Sequence, residues 1–423
     1  MPPMKTAIAL DHLLCAVGDP LVDLSGIAPG DAEYSRALLI RIAAGIIAKD
    51  PDGHAAIRRS IEAFPLADLT KPNAMHLAAA NAWLSGDPAR AAQIYESILH
   101  HWPHDLLALR LAQSCYFFLG WQDRLCSTNE AILNAWQRDD HNFRFVLAFA
   151  SFAYAENGHT DMAERLGREG LAIEPACPFA VHAVTHAIAE NSQPRAGAQW
   201  MRNQVGHWAG ESRMRAHNAW HLAMFDVTDG NVASALGILD GWLLPASMTS
   251  SLDSCDATSL LWSLAAEGLD VSERWQRLSN AFARTLTPGF WPYVDLHAAI
   301  AHWKAGHHDR FGKLLRAIES RAAGDDFAAS RARSLTLPGL LAIQSLARCR
   351  PHEAAAHLNA LRPALGLIGG SRLQLEIFRN LENEIPGASS AAGSTQLVRL
   401  SGATPLVHAL ERLSTATPTL IPA

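Results

Sequence analysis

Glycine falls at nearly constant intervals along this chain, at Gly86, Gly120, Gly158, Gly230, Gly268 and Gly306, spaced 34, 38, 72, 38 and 38 residues apart. Between these stops Ala and Leu recur at helical spacing, with few β-branched runs and hardly any alternation of period two. A glycine that ends one helix and turns into the next produces antiparallel helix pairs, because glycine takes the left-handed turn conformation without steric penalty. One interval holds one such pair, and a lone pair cannot bury its apolar face. Stacked pairs can, so the spacing predicts an all-α chain organised as an α-solenoid. The interval of 72 residues holds two units, the second starting at Phe179, with Ser192 or Gln193 where the glycine is expected.

The clearest unit, residues 73–106, has Gly86 closing its first helix, Ala91 and Tyr95 facing the second, and Pro103 ending it. This resembles the tetratricopeptide repeat, in which a small Ala lets the helices approach and a large aromatic fills the space between them. The phase is strong again at Gly158, Ala163 and Pro175 and weaker elsewhere. Residues 1–384 read as one tetratricopeptide-like solenoid, clearest over 73–310. Helices over 34–49 and 53–64 precede the repeats, and helices over 311–323, 335–347, 352–361 and 369–382 follow. Pro386, Gly387 and a Ser/Ala/Gly run mark 385–396 as a linker. The tail 397–423 carries one short helix over 405–413.

Charged residues are 18% of the chain and the formal net charge is −6. No cluster of Lys and Arg offers the footprint that nucleic acid or an anionic membrane requires. The six cysteines are scattered without a C-x-x-C, as in a reducing compartment. Asp11 and His12 interrupt the first apolar run before it reaches signal-peptide length, and no window of 18 apolar residues occurs, so a soluble, cytoplasmic protein is expected. No phosphate-binding or dinucleotide glycine motif is present.

The chemistry concentrates in Val181–Ala223, which holds two His-x-x-x-His pairs, His182/His186 and His217/His221. An i,i+4 spacing sets two imidazoles on one helix face. A third pair, His100/His104, spans Pro103 and cannot share a helix face. Both useful pairs fall in the first helix of their units, which lines the concave side of such a solenoid. Asp253 and Asp256 open the first helix of the next unit, and Asp295, His297 and His302 lie in that of the one after. These groups are expected on one concave wall, rimmed by Trp208, Trp220, Trp262 and Trp291.

The residues also resemble the tetratricopeptide repeat protein 38 family over about 73–378. Phe179–His186 is similar to its W-A-V-H-A-V-A-H block, and His217–Met224 to its H-N-W-W-H-L-A-L block. Asp256–Leu264 followed by Arg274-Trp275 matches D-A-x-S-L-L-W-R-L, and Asp295-Leu296-His297-Ala298 matches D-x-H-A. The resemblance implies that His182, His186, His217, His221, Asp256 and His297 share a pocket. Thr185, Ala219 and Ser263 depart from the pattern, and Gly369–Gln374 resembles the family's G-G-S-H-A-Q with Arg372 in the His position. That last departure puts a shared ligand in doubt.

Three readings follow. In the first, His182, His217, Trp220, Asp256, Trp262, Asp295 and His297 bind a small polar ligand or a peptide in the groove. In the second, His186 and His221 act as general acid and base of a hydrolase or lyase, or the four histidines hold zinc or iron, with Glu190 as a further ligand or support. The H-E-x-x-H signature is absent. In the third, the solenoid is a scaffold for protein partners and the histidines are structural. Glu156 and Asp161 flank a repeat turn and are expected to be solvated.

Overall fold

The structure, a computed structural model, describes residues 4–49 and 51–385. The expected linker beyond Ile385 and the tail with its helix over 405–413 lie outside the described residues. Among those described the chain is all-α. No strand forms, and one isolated bridge joins Val17 to Ser212. No described helix is long and apolar enough to cross a membrane.

Helix pairs follow one another from Tyr34–Ala48 with His54–Glu62 to Leu337–Ala347 with Pro351–Leu361. The punctuating glycines all take positive φ, from 69° at Gly306 to 83° at Gly268. In the unit without a glycine at the turn, Ser192, not Gln193, takes the left-handed position, with φ 54°. The two helices of a unit differ in burial. In Phe143–Glu156 every residue but Tyr154 is buried, and in Pro178–Glu190 every residue but Glu190. The paired outer helix Pro194–Asn203 buries only Gly197, Ala198 and Met201, with Gly197 lying under the Phe225 ring. First helices such as these therefore form an inner layer with no polar face, and second helices an amphipathic outer layer, while the earlier first helix Lys71–Leu84 stays partly exposed.

Two departures from regular α-helix have a common cause. Val232–Ile238 runs on through a π turn, Leu239–Leu243, into Leu244–Ser247. Likewise Phe327–Arg331 passes through Ala332–Thr336 into Leu337–Ala347, so the helix expected over 335–347 starts eight residues earlier. Each π turn ends just before a helical proline, Pro245 or Pro338. The widened turn makes room for a ring that would strike the carbonyl four residues back.

The helix expected over 369–382 does not form. Gly369 and Gly370 hold φ of 92° and 89°, and only Glu376–Arg379 is α-helical. This segment crosses the inner layer instead. The Gly370 amide donates to the Phe117 carbonyl at 3.0 Å, and the Trp291 indole donates to the Ile368 carbonyl at 3.0 Å. A Cβ on Gly369 would lie 2.5 Å from the Phe118 carbonyl oxygen. Side chains complete the crossing. Phe118 and Trp291 stack at 4.8 Å, and Phe290 meets His54, Trp83 and Phe118 edge-on. Residues early in the array thus touch the loop at 290, and the solenoid closes on itself. The N-terminal helix Lys5–Cys15 packs on the inside as well, with Arg144 paired to Asp11 and Gly18 donating to the Glu211 carbonyl.

Gly120 and Gly86 separate turn strain from closure. Both are left-handed, but a Cβ at Gly86 meets nothing, whereas at Gly120 it would sit 1.8 Å from the Gly366 carbonyl oxygen. Gly86→Ala should cost about 1–2 kcal/mol of stability. Gly120→Ala should cost clearly more, because it also displaces the crossing segment. Chemical denaturation of the two variants reads the difference, and equal losses would contradict the packing described.

Candidate functional site

Closure leaves an interior cavity of about 730 Å³. Its wall includes His182, His186 and His217, the carboxylates of Asp253 and Asp256, and Ser371 and Gln374 from the crossing segment. Phe117, Phe152 and Phe179 give it an aromatic side. His182 and His186 come from Pro178–Glu190, and His217 and His221 from Arg215–Thr228. The two inner helices lie side by side, so the i,i+4 spacing brings all four imidazoles together. One nitrogen from each falls within 4.8 Å of the others.

The contacts inside this cluster fix where protons can be. His186 Nε2 lies 2.9 Å and His217 Nε2 3.0 Å from the same atom, His182 Nε2. On their far sides, His217 Nδ1 is 2.7 Å from Asp256 Oδ2, and His186 Nδ1 is 3.0 Å from Glu156 Oε1. The Glu156 contact has ion-pair distance but not hydrogen-bond alignment. A carboxylate that close still requires N–H on Nδ1, since a lone pair there would face an anion. Whenever both rings are neutral, they present bare Nε2 lone pairs to His182. His182 Nε2 has at most one hydrogen to give, so one of the two contacts joins two lone pairs. His221 packs 4.6 Å from His186 and 4.7 Å from His217, with its Nε2 lacking a hydrogen-bond partner.

Electrostatics sharpens the point. Burial first, and then the neighbouring imidazoles, hold His182 and His221 well below the ordinary imidazole range. The supporting carboxylates are themselves held. Glu156 Oε2 accepts from the Arg372 backbone amide at 2.8 Å, and Asp256 Oδ1 accepts from Gln374 Nε2 at 2.9 Å. Glu156 is therefore not solvated as its place beside a turn suggests. It is 2% exposed and faces the cluster.

The remaining sequence candidates scatter. Trp220 donates its indole N–H to Ser259 Oγ at 2.8 Å and stacks on His217, behind the cavity wall. Trp262 packs on Trp303 under the Lys304 ammonium, away from the cavity. Asp295 is fully buried and accepts the Gly289 amide at 3.2 Å on both oxygens, which ties down the 286–291 loop. His297 is buried between Tyr293 and Phe378, with Nδ1 donating to the Tyr293 carbonyl. His302 bonds Ser279 Oγ in the outer layer. Of the expected rim, Trp208 and Trp291 are buried on backbone carbonyls, and Trp242 lines the cavity instead. Glu190 pairs with Arg372 at 3.4 Å rather than joining the imidazoles, and burial raises it to about 7.

Some site residues were not assigned to the site from the sequence. Ser371 and Gln374 belong to the Gly369–Gln374 stretch that resembles the family's G-G-S-H-A-Q, but that stretch reads as one more helix. Lys49 and Arg110 line the cavity; Arg110 is the lone charge of its apolar inner helix, whereas Lys49 ends a helix that also carries Arg36 and Arg41 and gives no such signal.

No family model matches the sequence. Two solved structures are similar to the chain. The APC/C hetero-tetramer Cut9–Hcn1 is 11% identical over 90% of this chain and 68% of that one, with a TM-score of 0.40. A monomeric mutant of IFIT1 with Gppp-AAAA is 15% identical over 88% and 90%, with a TM-score of 0.42. By its own helices the chain is a tetratricopeptide-like helical-repeat protein, closed around an interior cavity.

Asp295 gives the fold a pH signature apart from the cluster. Burial pushes its carboxyl up to about 8, so the folded state holds a proton that the unfolded chain releases above about 4. Unfolding then releases a proton, and this group's contribution falls as pH rises from about 4 to about 8, by up to about 1.4 kcal/mol per pH unit. Asp295→Asn keeps an acceptor for Gly289 and removes the titration. Its stability relative to the parent should grow steadily between pH 5 and 8. A difference that stays constant across that range would refute the assignment.

Proposed function

We propose that the chain binds a transition metal, zinc or iron, at His182, His186, His217 and His221, and acts on a small molecule held in the adjoining cavity. The observation that carries this reading is the approach of His186 Nε2 and His217 Nε2 to His182 Nε2 at 2.9 and 3.0 Å, the first two on rings whose Nδ1 faces a carboxylate. One cation held between these nitrogens would resolve the lone-pair conflict for the three rings at once. Carboxylate–imidazole–metal arrays are the usual way to fix a ligand's tautomer and raise its basicity. Metal–nitrogen bonds of about 2.1 Å set ligands ~3.0 Å apart at the right angles of an octahedral iron site and ~3.4 Å apart at the tetrahedral angles of zinc, so the spacing fits the first and is close to the second.

In this reading Glu156 and Asp256 orient His186 and His217. Three of the four imidazoles border the cavity, so a substrate there reaches the metal directly. A bound metal would supply Lewis acidity, which suits a hydrolase or lyase. His186 and His221 then serve as ligands rather than as a metal-free acid–base pair. An inner face crossed by the chain's own residues 366–374 favours an enclosed small-molecule pocket over a peptide groove. The resemblance to the tetratricopeptide repeat protein 38 family fits the same picture. Four of the stretches that carry the resemblance contribute His182 and His186, His217 and His221, Asp256, and Gln374 to one site. All six cysteines are free, as suits a reducing cytoplasm.

Elemental analysis of the purified protein tests the proposal. About one equivalent of zinc or iron is expected, and His186→Ala/His221→Ala should lose it. Glu156→Gln and Asp256→Asn should each weaken metal affinity by about 10–100-fold. A parent protein that neither carries nor takes up either metal would sink the reading.

A further inference from the structure

The cavity has a second chemical feature. Lys49, Arg110 and Arg213 all line it, and none makes an ion pair among the described residues. The buried Lys49 ammonium has one weak bond, to the Ile47 carbonyl at 3.3 Å, and lies 5.3 Å from the Phe117 ring centre. Arg110 donates to Ser114 Oγ at 3.2 Å and stacks on Phe179 at 5.3 Å, while its buried Nε has no partner. Arg213 stands at the exposed part of the wall, with Asp19 the one carboxylate favouring its charge. The three repel one another, and burial with that repulsion brings Lys49 down to about 7 and Arg110 to about 10.

Unpaired cations held together in a largely apolar space are costly, and a chain keeps them where something else supplies the opposite charge. The cavity's own acids do not, because Asp256 is engaged by His217 and Gln374 and neither it nor Asp253 pairs with or acts electrostatically on the three cations. The walls between are Leu13, Ile47, Phe117, Phe152 and Phe179. We propose that Lys49, Arg110 and Arg213 form a receptor for the carboxylate or phosphate group of an otherwise apolar small molecule, the ligand of this cavity. The planar fork of Arg110 suits two oxygens of such a group, and Lys49 adds a point charge. Arg110 also acts electrostatically on His182, so an anion held there lies beside the imidazoles. The proposal rests on the cavity being the ligand site but not on the metal.

Isothermal titration of the full-length protein, as purified and after chelation, tests it with hydrocinnamate, phenyl phosphate and uncharged hydrocinnamyl alcohol. At least one acid should bind about tenfold or more tightly than the alcohol, with and without chelation, and the tighter acid names the head group. Lys49→Met and Arg110→Met should each lose about tenfold in acid binding while alcohol binding stays unchanged. Both variants should melt higher than the parent without ligand, since each removes an unpaired charge, so misfolding cannot imitate the result. Equal binding of acids and alcohol, no binding of either acid, or unchanged affinity in the variants would overturn the proposal. Acid binding that vanishes on chelation would assign the anion to the metal and overturn it too. Acid binding by a protein without metal would sustain it while sinking the metal reading.

Discussion

The structure turns on how two interior carboxylates are held. Glu156 and Asp256 sit where ionised groups are expensive, and each is bonded on one side by residues 372–374 and faces an imidazole on the other. The crossing segment therefore does two things with one set of hydrogen bonds. It closes the array, and it orients the carboxylates that fix His186 and His217. Without the Arg372 amide and the Gln374 side chain, both acids would face the cluster with uncompensated oxygens.

The same interior stores a tension between stability and chemistry. The inner helices are apolar almost throughout, yet they bury lone pairs without hydrogens at His182 and positive charges without partners at Lys49 and Arg110. An array selected for packing alone would replace these groups with Leu or Met at little cost. Their coincidence around one cavity marks the place where the chain departs from packing logic.

Much of this was legible in the sequence. The glycine period gave the helix pairs, their turns and their two layers, because a left-handed stop is a strictly local requirement. Two His pairs one unit apart were enough to foresee four imidazoles in contact. Facing was not legible. Pro292–Lys304 is buried on all sides, so apolar periodicity could not say whether Asp295 and His297 look into the cavity or away from it. Glu156 looked like a solvated end residue because nothing near it in sequence reveals the segment 216 residues later that covers it. Gly369 and Gly370 looked like the edge of a helix, and only the opposing Phe117 and Phe118 carbonyls explain why glycine is needed there.

Repeat arrays ordinarily tolerate gain or loss of a unit, since each pair touches only its neighbours. Here Phe290 and Trp291 must meet His54, Trp83 and Phe118 across the interior, which ties the number of intervening units to the geometry of closure. Inserting or deleting one pair would rotate the two partners past each other. The ring thus converts an extensible architecture into one of fixed size. It also sets an order of assembly. The helical pairs can form as they leave the ribosome, but the pocket is complete only when the last repeat has been followed by Gly369–Gln374.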